Sequence, residues 1–327
     1  MKVLVTGGSG FLGQRLLLGL IASGFSVRAT HRRAGPRVTA AVEWWALPDL
    51  DDTSALDAAV AGSDAIIHLA ALAHQPAHAE RAPEFLRVNR DGTRRLARAA
   101  AQAGVPRFIL VSSIAAICTN SDKPVDDCTV CAPTDAYGYS KLEAERALTE
   151  ELVGTATDWC ILRPPLVYGP GNPGNMRRLL HLIGSGVPLP FGAIRNRRSF
   201  IFLDNLVDAM LTVLRYAHAT CSTYVVSDGS DLSTPELVDA LATALGRKAR
   251  LLPVPIAMLR AAGRAGDVVN TLLHRRGGLD STAVDRLVGS LLVDGVRFNE
   301  AFGWRPPVPT ERALELTGRA FSNGGRK

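Results

Sequence analysis

The chain has 327 residues, 47% hydrophobic and 21% charged, enough for a large buried core and unlike a disordered or fibrous polypeptide. Its formal charge of +6 comes mostly from scattered arginines, which suits an anionic small molecule and leaves no basic and aromatic platform for nucleic acid. Five cysteines are an odd number for a disulfide framework, and a first strand starting at Lys2 with no apolar run of spanning length points to a cytoplasmic protein without stable membrane insertion.

Val3, Leu4 and Val5 form an apolar run without alternation, as expected of a strand buried on both faces of a parallel sheet. Thr6 to Gly10 turns the chain, and Phe11 to Ile21 carries apolar residues at helical spacing. Gly7, Gly10 and Gly13 stand three apart in this stretch. Strand, glycine turn and helix in that order make a pyrophosphate cradle, because glycines allow the turn, admit the phosphates to backbone N–H groups and let the helix pack close. Gly24 stops the helix, and Phe25 to Thr30 reads as the second strand. Where a dinucleotide fold for NAD places a carboxylate for the ribose 2′-hydroxyl, this chain has His31, Arg32 and Arg33. An arginine fork suits a 2′-phosphate, so the expected cofactor is NADP(H), with NAD(H) the alternative if both arginines point to solvent.

Val42 to Trp45 is a third strand, followed by Asp49, placed either to receive the adenine amino group or to serve a turn. A helix over Thr53 to Ala61 is capped by Asp52 or Thr53. The fourth strand, Ala65 to Ala71, ends in small residues that let a cofactor lie close. A long helix from Pro83 to Ala103 contains Asn89, either functional or a cap within its own helix. Phe108 to Ser112 and Asp158 to Leu162 are strands flanking a helix over Tyr137 to Val153. This alternation predicts an α/β fold with a doubly wound parallel sheet, a Rossmann domain over residues 1–165. Prolines and glycines multiply after Arg163, between helices near Met176 to Gly184, Asp204 to Ala217 and Ser233 to Leu245 and a strand at Thr223 to Val226. Ser233 with Glu236 makes a capping box. Residues 166–327 read as a smaller C-terminal substrate-binding lobe, with segments near 200–226 returning to the sheet.

Tyr137 and Lys141 are four apart at the start of a helix and share a face. A phenol titrates near pH 10, too high for a base at neutrality. An ammonium about 4 Å away contributes roughly 4 kcal/mol at an effective dielectric of 20, enough to bring the phenol near neutrality.

Several stretches together are similar to the extended short-chain dehydrogenase/reductases: Thr6-Gly7-x-x-Gly10-x-x-Gly13, His68-Leu-Ala-Ala71, Asn89 in Val-Asn-x-x-Gly-Thr, Val111-Ser-Ser113, Tyr137-x-x-x-Lys141 and Arg163-Pro-Pro-Leu-Val-Tyr-Gly-Pro170. Arg198-Ser-Phe-Ile-Phe-Leu-Asp-Asn205 and Phe302-Gly-Trp-Arg-Pro306 extend the likeness over nearly the whole chain. It most resembles the UDP-sugar 4-epimerases and UDP-4-keto-sugar reductases of surface-polysaccharide biosynthesis, within the NAD-dependent epimerase/dehydratase family. The resemblance implies Tyr137 as general acid/base, Lys141 also holding the nicotinamide ribose, and Ser113, or Ser112 beside it, bonding the reacting sugar oxygen. It implies cofactor contacts at Gly7, Gly10, Phe11, Leu12, Arg32, Asp49, Leu50, Leu69, Ala70, Ala71, Tyr137, Lys141 and Pro164. For a UDP-sugar substrate it implies Ser113, Asn175 and Arg198, the last gripping the diphosphate unless it is a surface charge beside Arg195 and Arg197.

Two departures narrow the chemistry. The sugar dehydratases carry an acidic pair after the hydroxyl residue, whereas Ile114, Ala115 and Ala116 follow Ser113, so 4,6-dehydration is not expected. The lysine that UDP-galactose 4-epimerases often carry after the fourth strand is absent from Leu72-Ala-His-Gln75. On the bound dinucleotide a 4-keto-sugar reductase is favoured, with the 4-epimerase the alternative and a non-catalytic dinucleotide sensor the remote one. No metal is expected: His74 and His78 have no role in hydride chemistry, and Cys128 and Cys131 lack a second ligand pair. Ile256 to Arg276, basic and partly amphipathic, is either a solvated helix of the cap lobe or a membrane-surface helix. Two long helices per lobe could build a homodimer bundle.

Overall fold

The computed structural model describes residues 1–32, 40–73, 81–218, 220–272 and 280–324. The apolar run at the N-terminus is β1 (Lys2–Thr6): Val3 and Val5 enter one apolar cluster and Leu4 enters another on the opposite face. A strand covered on both sides has no polar face to alternate with. The N-terminal half continues as α1 (Phe11–Ala22), β2 (Ser26–His31), β3 (Val42–Ala46), α2 (Thr53–Val60), β4 (Ala65–His68), α3 (Ala82–Phe85), α4 (Gly92–Gln102), β5 (Arg107–Val111), β6 (Ser121–Val125), α5 (Ala136–Leu152) and β7 (Asp158–Arg163). The C-terminal half follows as β8 (Leu166–Tyr168), α6 (Asn175–Ser185), β9 (Arg198–Phe202), α7 (Leu203–Arg215), β10 (Ser222–Val225), β11 (Asp231–Leu232), α8 (Thr234–Ala244), α9 (Ile256–Leu272), α10 (Ser281–Val288), β12 (Leu291–Val293), α11 (Val296–Phe302) and α12 (Thr310–Gly324).

Seven strands pair in parallel in the order β10–β7–β5–β4–β1–β2–β3. Residues of α1, α7 and α11 fill one face, and residues of α2, α4 and α5 fill the other. This is the doubly wound Rossmann sheet that the strand–helix alternation predicts. Its order reverses between β1 and β4, so a crevice opens at their C-terminal ends, where such sheets take their ligands.

A second sheet runs β11–β9–β12–β6, with β8 also paired to β9. The pattern of the chain did not reveal β6, because Ser-Asp-Lys-Pro-Val has a proline and exposes its three middle residues. Parallel pairing to β12 holds it instead. The helix expected from Pro83 to Ala103 contains a π-helical turn over Leu86–Asp91, which widens the helix around Asn89. The capping box of α8 is present, with Ser233 N donating to Glu236 at 2.7 Å. Buried Asp228 ties the sheets together, accepting from Phe202 N at 2.9 Å, Asn205 Nδ2 at 2.7 Å and Tyr168 OH at 3.2 Å. Burial pushes its carboxyl up to about 6.

Candidate active site

Each glycine of the first loop has its own reason to lack a side chain. Gly7 adopts φ +72°, and a Cβ there would come within 2.8 Å of Ala70 N, in the segment after β4. The loops on the two sides of the crevice therefore touch backbone to backbone. A Cβ on Gly13 would collide with Gly7 O, so this glycine lets α1 lie on the turn. Gly10 caps α1 without any side-chain hydrogen bond, which leaves the first N–H groups of the helix facing the crevice mouth. Phe11 and Leu12 open that helix, and Leu12 packs into the core cluster beneath it. The cradle fits a dinucleotide pyrophosphate: Gly7 and Gly13 leave no room for a Cβ, and the helix start carries no side-chain cap.

At the far end of β2, Arg32 is exposed, and the His31 ring lies 5.9 Å from that of Trp44. His31 Nδ1 is buried with no partner among the described residues. Arg33, His74, His78, His274, Arg275 and Arg276 lie outside the described residues. Asp49 accepts from Arg87 Nη1 at 2.8 Å, which holds its carboxyl below the usual range. Leu50 packs on Gly92, where a Cβ would meet Leu50 Cδ1 at 2.6 Å. Leu69, Ala70 and Ala71 continue β4 into the crevice, with Leu69 N on Thr6 O at 3.2 Å.

Beneath them His68 is fully enclosed. Its Nδ1 meets Thr6 Oγ1 at 2.5 Å and its Nε2 meets Thr93 Oγ1 at 3.1 Å. Thr93 spends its hydrogen on Asn89 O at 2.6 Å, so its oxygen can only accept, which assigns the proton of the neutral ring to Nε2. Burial first, and the Lys141 charge second, push the imidazole down to about 3. The unfolded chain therefore takes up a proton below its ordinary value of 6.5 that the folded protein refuses until about pH 3. In that window acidification should destabilise the fold by up to about 1.4 kcal/mol per pH unit from this residue. Urea unfolding from pH 7 to pH 4 should show a steeper loss for the wild type than for His68→Gln. Parallel curves would refute this assignment.

Catalytic-type residues meet at the start of α5. Asp135 caps the helix, accepting from Gly138 N at 2.7 Å. A Cβ on Gly138 would collide with Ala115 O, so glycine lets the helix start press against the 3₁₀ turn Ile114–Ala116 that Ser113 caps. Tyr137 thereby comes beside Ser113, and its ring packs edge-on to Phe85 at 6.3 Å. Ser112 is turned away into the core, donating to Glu145, so Ser113 is the hydroxyl left at the crevice. Pro164 closes the base of this turn, its carbonyl accepting from Ile114 N at 2.9 Å.

The expected effect of Lys141 on the phenol is corrected here. Lys141 Nζ donates to Val111 O at 2.8 Å, at the end of β5. Burial brings the ammonium down to about 8, with Glu145 opposing. Tyr137 is shifted upward: burial, aided by Asp135, outweighs its Ser113 hydrogen bond. With the ammonium drawn to a carbonyl, the phenol stays protonated at neutral pH.

Arg198, first residue of β9, donates Nη1 to Arg286 O and to Gly289 O, both at 3.0 Å. Burial and the neighbouring Arg286 charge bring its guanidinium down to about 10. Arg286 in turn lies 3.7 Å from Asp135, the cap of the helix that carries Tyr137. Two arginines held together against their own repulsion fit a dianionic ligand. Arg286 escaped the sequence reading because nothing local marks it. Asn175 is the exposed first residue of α6.

Asn89 is a clamp and does not cap its own helix. Its amide accepts from Leu72 N at 2.7 Å and donates to Leu72 O at 3.2 Å and Ser140 Oγ at 2.8 Å, pinning the segment after β4 to α5. The sequence reading also missed the buried pair of Glu145 and Arg163. Its signal was available, since Glu145 stands four residues after Lys141 on the same helix face. Among the described residues no group of three His, Cys, Asp or Glu could hold a metal ion, and no helix is long and apolar enough to cross a membrane.

Known proteins resemble this chain in sequence and in fold. The model of the NAD dependent epimerase/dehydratase family matches residues 3–227. A UDP-glucose 4-epimerase of Vibrio cholerae is 34% identical over 98% of this chain and 95% of its own length. An N-acetyl-alpha-D-glucosaminyl-diphospho-ditrans,octacis-undecaprenol 4-epimerase of Escherichia coli O157:H7 is 29% identical over 97% of this chain and 94% of its own. The solved UDP-glucuronic acid 4-epimerase of Bacillus cereus, in complex with NAD, superposes with a TM-score of 0.79 at 19% identity, covering 99% of this chain and 97% of that one. MoeE5 in complex with UDP-glucuronic acid and NAD gives 0.77 at 24% identity, covering 99% and 100%. The two structures establish a shared fold.

Proposed function

The chain belongs to the NAD dependent epimerase/dehydratase family of extended short-chain dehydrogenase/reductases, and on that premise we propose that it is a 4-epimerase of a UDP-linked hexose. The observation that carries this reading is the adjacency of two features: a hydroxyl–phenol pair, Ser113 and Tyr137, and a like-charged arginine pair, Arg198 and Arg286, joined through Asp135. The arginines take the substrate diphosphate, Ser113 bonds the C4 oxygen, and Tyr137 exchanges a proton with that oxygen. Asn175 contributes to the nucleotide side. Residues 1–165 hold the dinucleotide and much of the remainder forms the substrate-binding lobe.

The glycine cradle with Phe11 and Leu12 holds the dinucleotide pyrophosphate, Lys141 its nicotinamide ribose, Leu69 to Ala71 and Pro164 its nicotinamide half, and Arg32, Asp49 and Leu50 its adenosine. When bound, the nicotinamide supplies hydride exchange at C4. Tight retention suits NAD(H), as the solved relatives carry.

A second reading, a UDP-4-keto-sugar reductase using exchangeable NADPH, draws on two observations. Arg32 is exposed at the end of β2, and Tyr137 is protonated at neutral pH, ready to donate to a keto oxygen. The purified enzyme, offered UDP-glucose and UDP-N-acetylglucosamine without added cofactor, is expected to form the C4 epimers. Oxidation of added NADPH by a UDP-4-keto-6-deoxy sugar, with no hexose interconversion, would replace the first reading by the second.

A further inference from the structure

The two arginines of the candidate diphosphate site sit on different elements, and a buried amide joins those elements. α10 ends at Val288, with Arg286 in its last turn and Gly289 after it. The last carbonyls of a helix have no partner within it. Here they face Asn196, which lies just before β9 and is 4% exposed. Its Nδ2 donates to Leu287 O at 3.1 Å and to Gly289 O at 3.0 Å. Its Oδ1 accepts from Thr234 N, at the start of α8, at 2.9 Å. Carbonyls can only accept and a backbone N–H can only donate, so the amide has one orientation, with both donors and its acceptor engaged.

Arg198 follows two residues later and reaches the same helix end. Ile194 and Asn196 are buried while Arg195 and Arg197 are exposed, a two-residue period that brings Asn196 and Arg198 to one side. Gly289 O accepts from Asn196 Nδ2 and from Arg198 Nη1, each at 3.0 Å. Nη1 is also spent on Arg286 O, whereas Nε and Nη2 of Arg198 have no partner among the described residues. One edge of the guanidinium fork is therefore held, and the other is open to an anion. Thr234 Oγ1 adds a bond to Leu287 O at 2.7 Å. The Arg286 charge bears on Arg198, and two cations with no anion between them separate unless something fixes their backbones.

We propose that Asn196 is a positioning residue for the substrate diphosphate: it fixes the end of α10 so that Arg286 stays beside Arg198. The inference rests on the reading of that arginine pair as the diphosphate site. Without the two amide donors, Leu287 O and Gly289 O each lose a buried partner and the last turn of α10 loosens. Arg286 then moves away from Arg198 under their mutual repulsion, and substrate affinity falls. The glycine cradle and the Ser113–Tyr137 pair stand on other elements and keep their places. A cap that served α8 alone would need only Oδ1, and Asn196→Asp tells the two roles apart. A carboxylate still accepts from Thr234 N and suits a helix start, but it has no hydrogen to give to α10.

Calorimetric titration of the full chain with UDP reads the effect without turnover. Asn196→Asp and Asn196→Leu should each weaken UDP binding about tenfold or more, the scale of one hydrogen bond to a charged group. Thr234→Val, which removes only the hydroxyl on Leu287 O, should weaken it about threefold. NAD affinity should stay near wild type in all three. With the UDP-sugar that the wild type turns over, KM should rise in proportion while kcat is kept, the mark of lost uniform binding. Wild-type UDP affinity in a folded Asn196→Asp protein overturns the proposal, as does an equal loss of UDP and NAD affinity, which marks general loosening. If neither Asn196 variant folds, Thr234→Val decides, and unchanged UDP affinity in it overturns the proposal. A wild type that does not bind UDP overturns the diphosphate reading itself, and this inference with it.

Discussion

Tyr137→Phe is expected to lower turnover about 10³-fold while dinucleotide binding stays close to wild type, because only the proton-transferring oxygen is removed. The phenylalanine ring preserves the edge-on packing against Phe85 at 6.3 Å, and Gly138 and Asp135 still set the helix start. The cradle of Gly7, Gly10 and Gly13 is untouched. Ser113→Ala should cost less, about 10²-fold, since it deletes one hydrogen bond to the reacting oxygen and leaves the proton donor in place. Single-turnover kinetics with dinucleotide fluorescence titration separates these effects. A Tyr137→Phe enzyme that turns over like the wild type would require another proton donor in the crevice, and would also remove the ground for preferring an enzyme over a dinucleotide sensor.

Glu145→Ala is expected to destabilise the protein by about 3–5 kcal/mol, the scale for breaking a buried ion pair from one side. Arg163 Nε donates to Glu145 Oε1 at 3.0 Å and Nη2 to Oε2 at 2.5 Å, with side-chain exposures of 7% and 5%. Without the carboxylate, the guanidinium keeps Cys131 Sγ, at 3.4 Å, as its partner among the described residues, and Ser112 loses its acceptor. Buried Lys141 also loses the negative charge that opposes its desolvation. Replacing both partners, Glu145→Gln with Arg163→Met, should recover a large part of the loss, because the unpaired guanidinium is then removed together with the carboxylate. Urea denaturation monitored by tryptophan fluorescence reads both. A Glu145→Ala change below about 1 kcal/mol would mean that water or a rearranged acceptor reaches Arg163.

These two residues mark different kinds of legibility. Tyr137 and Lys141 lie one helical turn apart, so their shared direction follows from helix geometry alone. Glu145 lies one turn further along, yet its partner Arg163 is on β7, and only the packing of α5 against the sheet brings them together. The same holds for Asp49, whose carboxylate is engaged by Arg87 from the π-helical turn. It holds for Ser112 as well: two adjacent serines look alike in the chain, and the facing of β5 turns one into the core and the other to the crevice.

The chain by itself determined what depends on neighbours in sequence. Those features are the glycine turn between β1 and α1, the alternation that builds the doubly wound sheet, the capping box of α8 and the Tyr137–Lys141 face. Each rests on backbone geometry within a few residues, where periodicity and steric limits act directly. The tertiary structure alone decided how charges and protons are distributed. It sent the Lys141 ammonium to the Val111 carbonyl, raised the phenol it was expected to lower, set Arg286 against Arg198, and turned the Asn196 amide to the end of α10. Electrostatic effects depend on distance and burial between groups far apart in the chain, and neither quantity exists before the chain has packed.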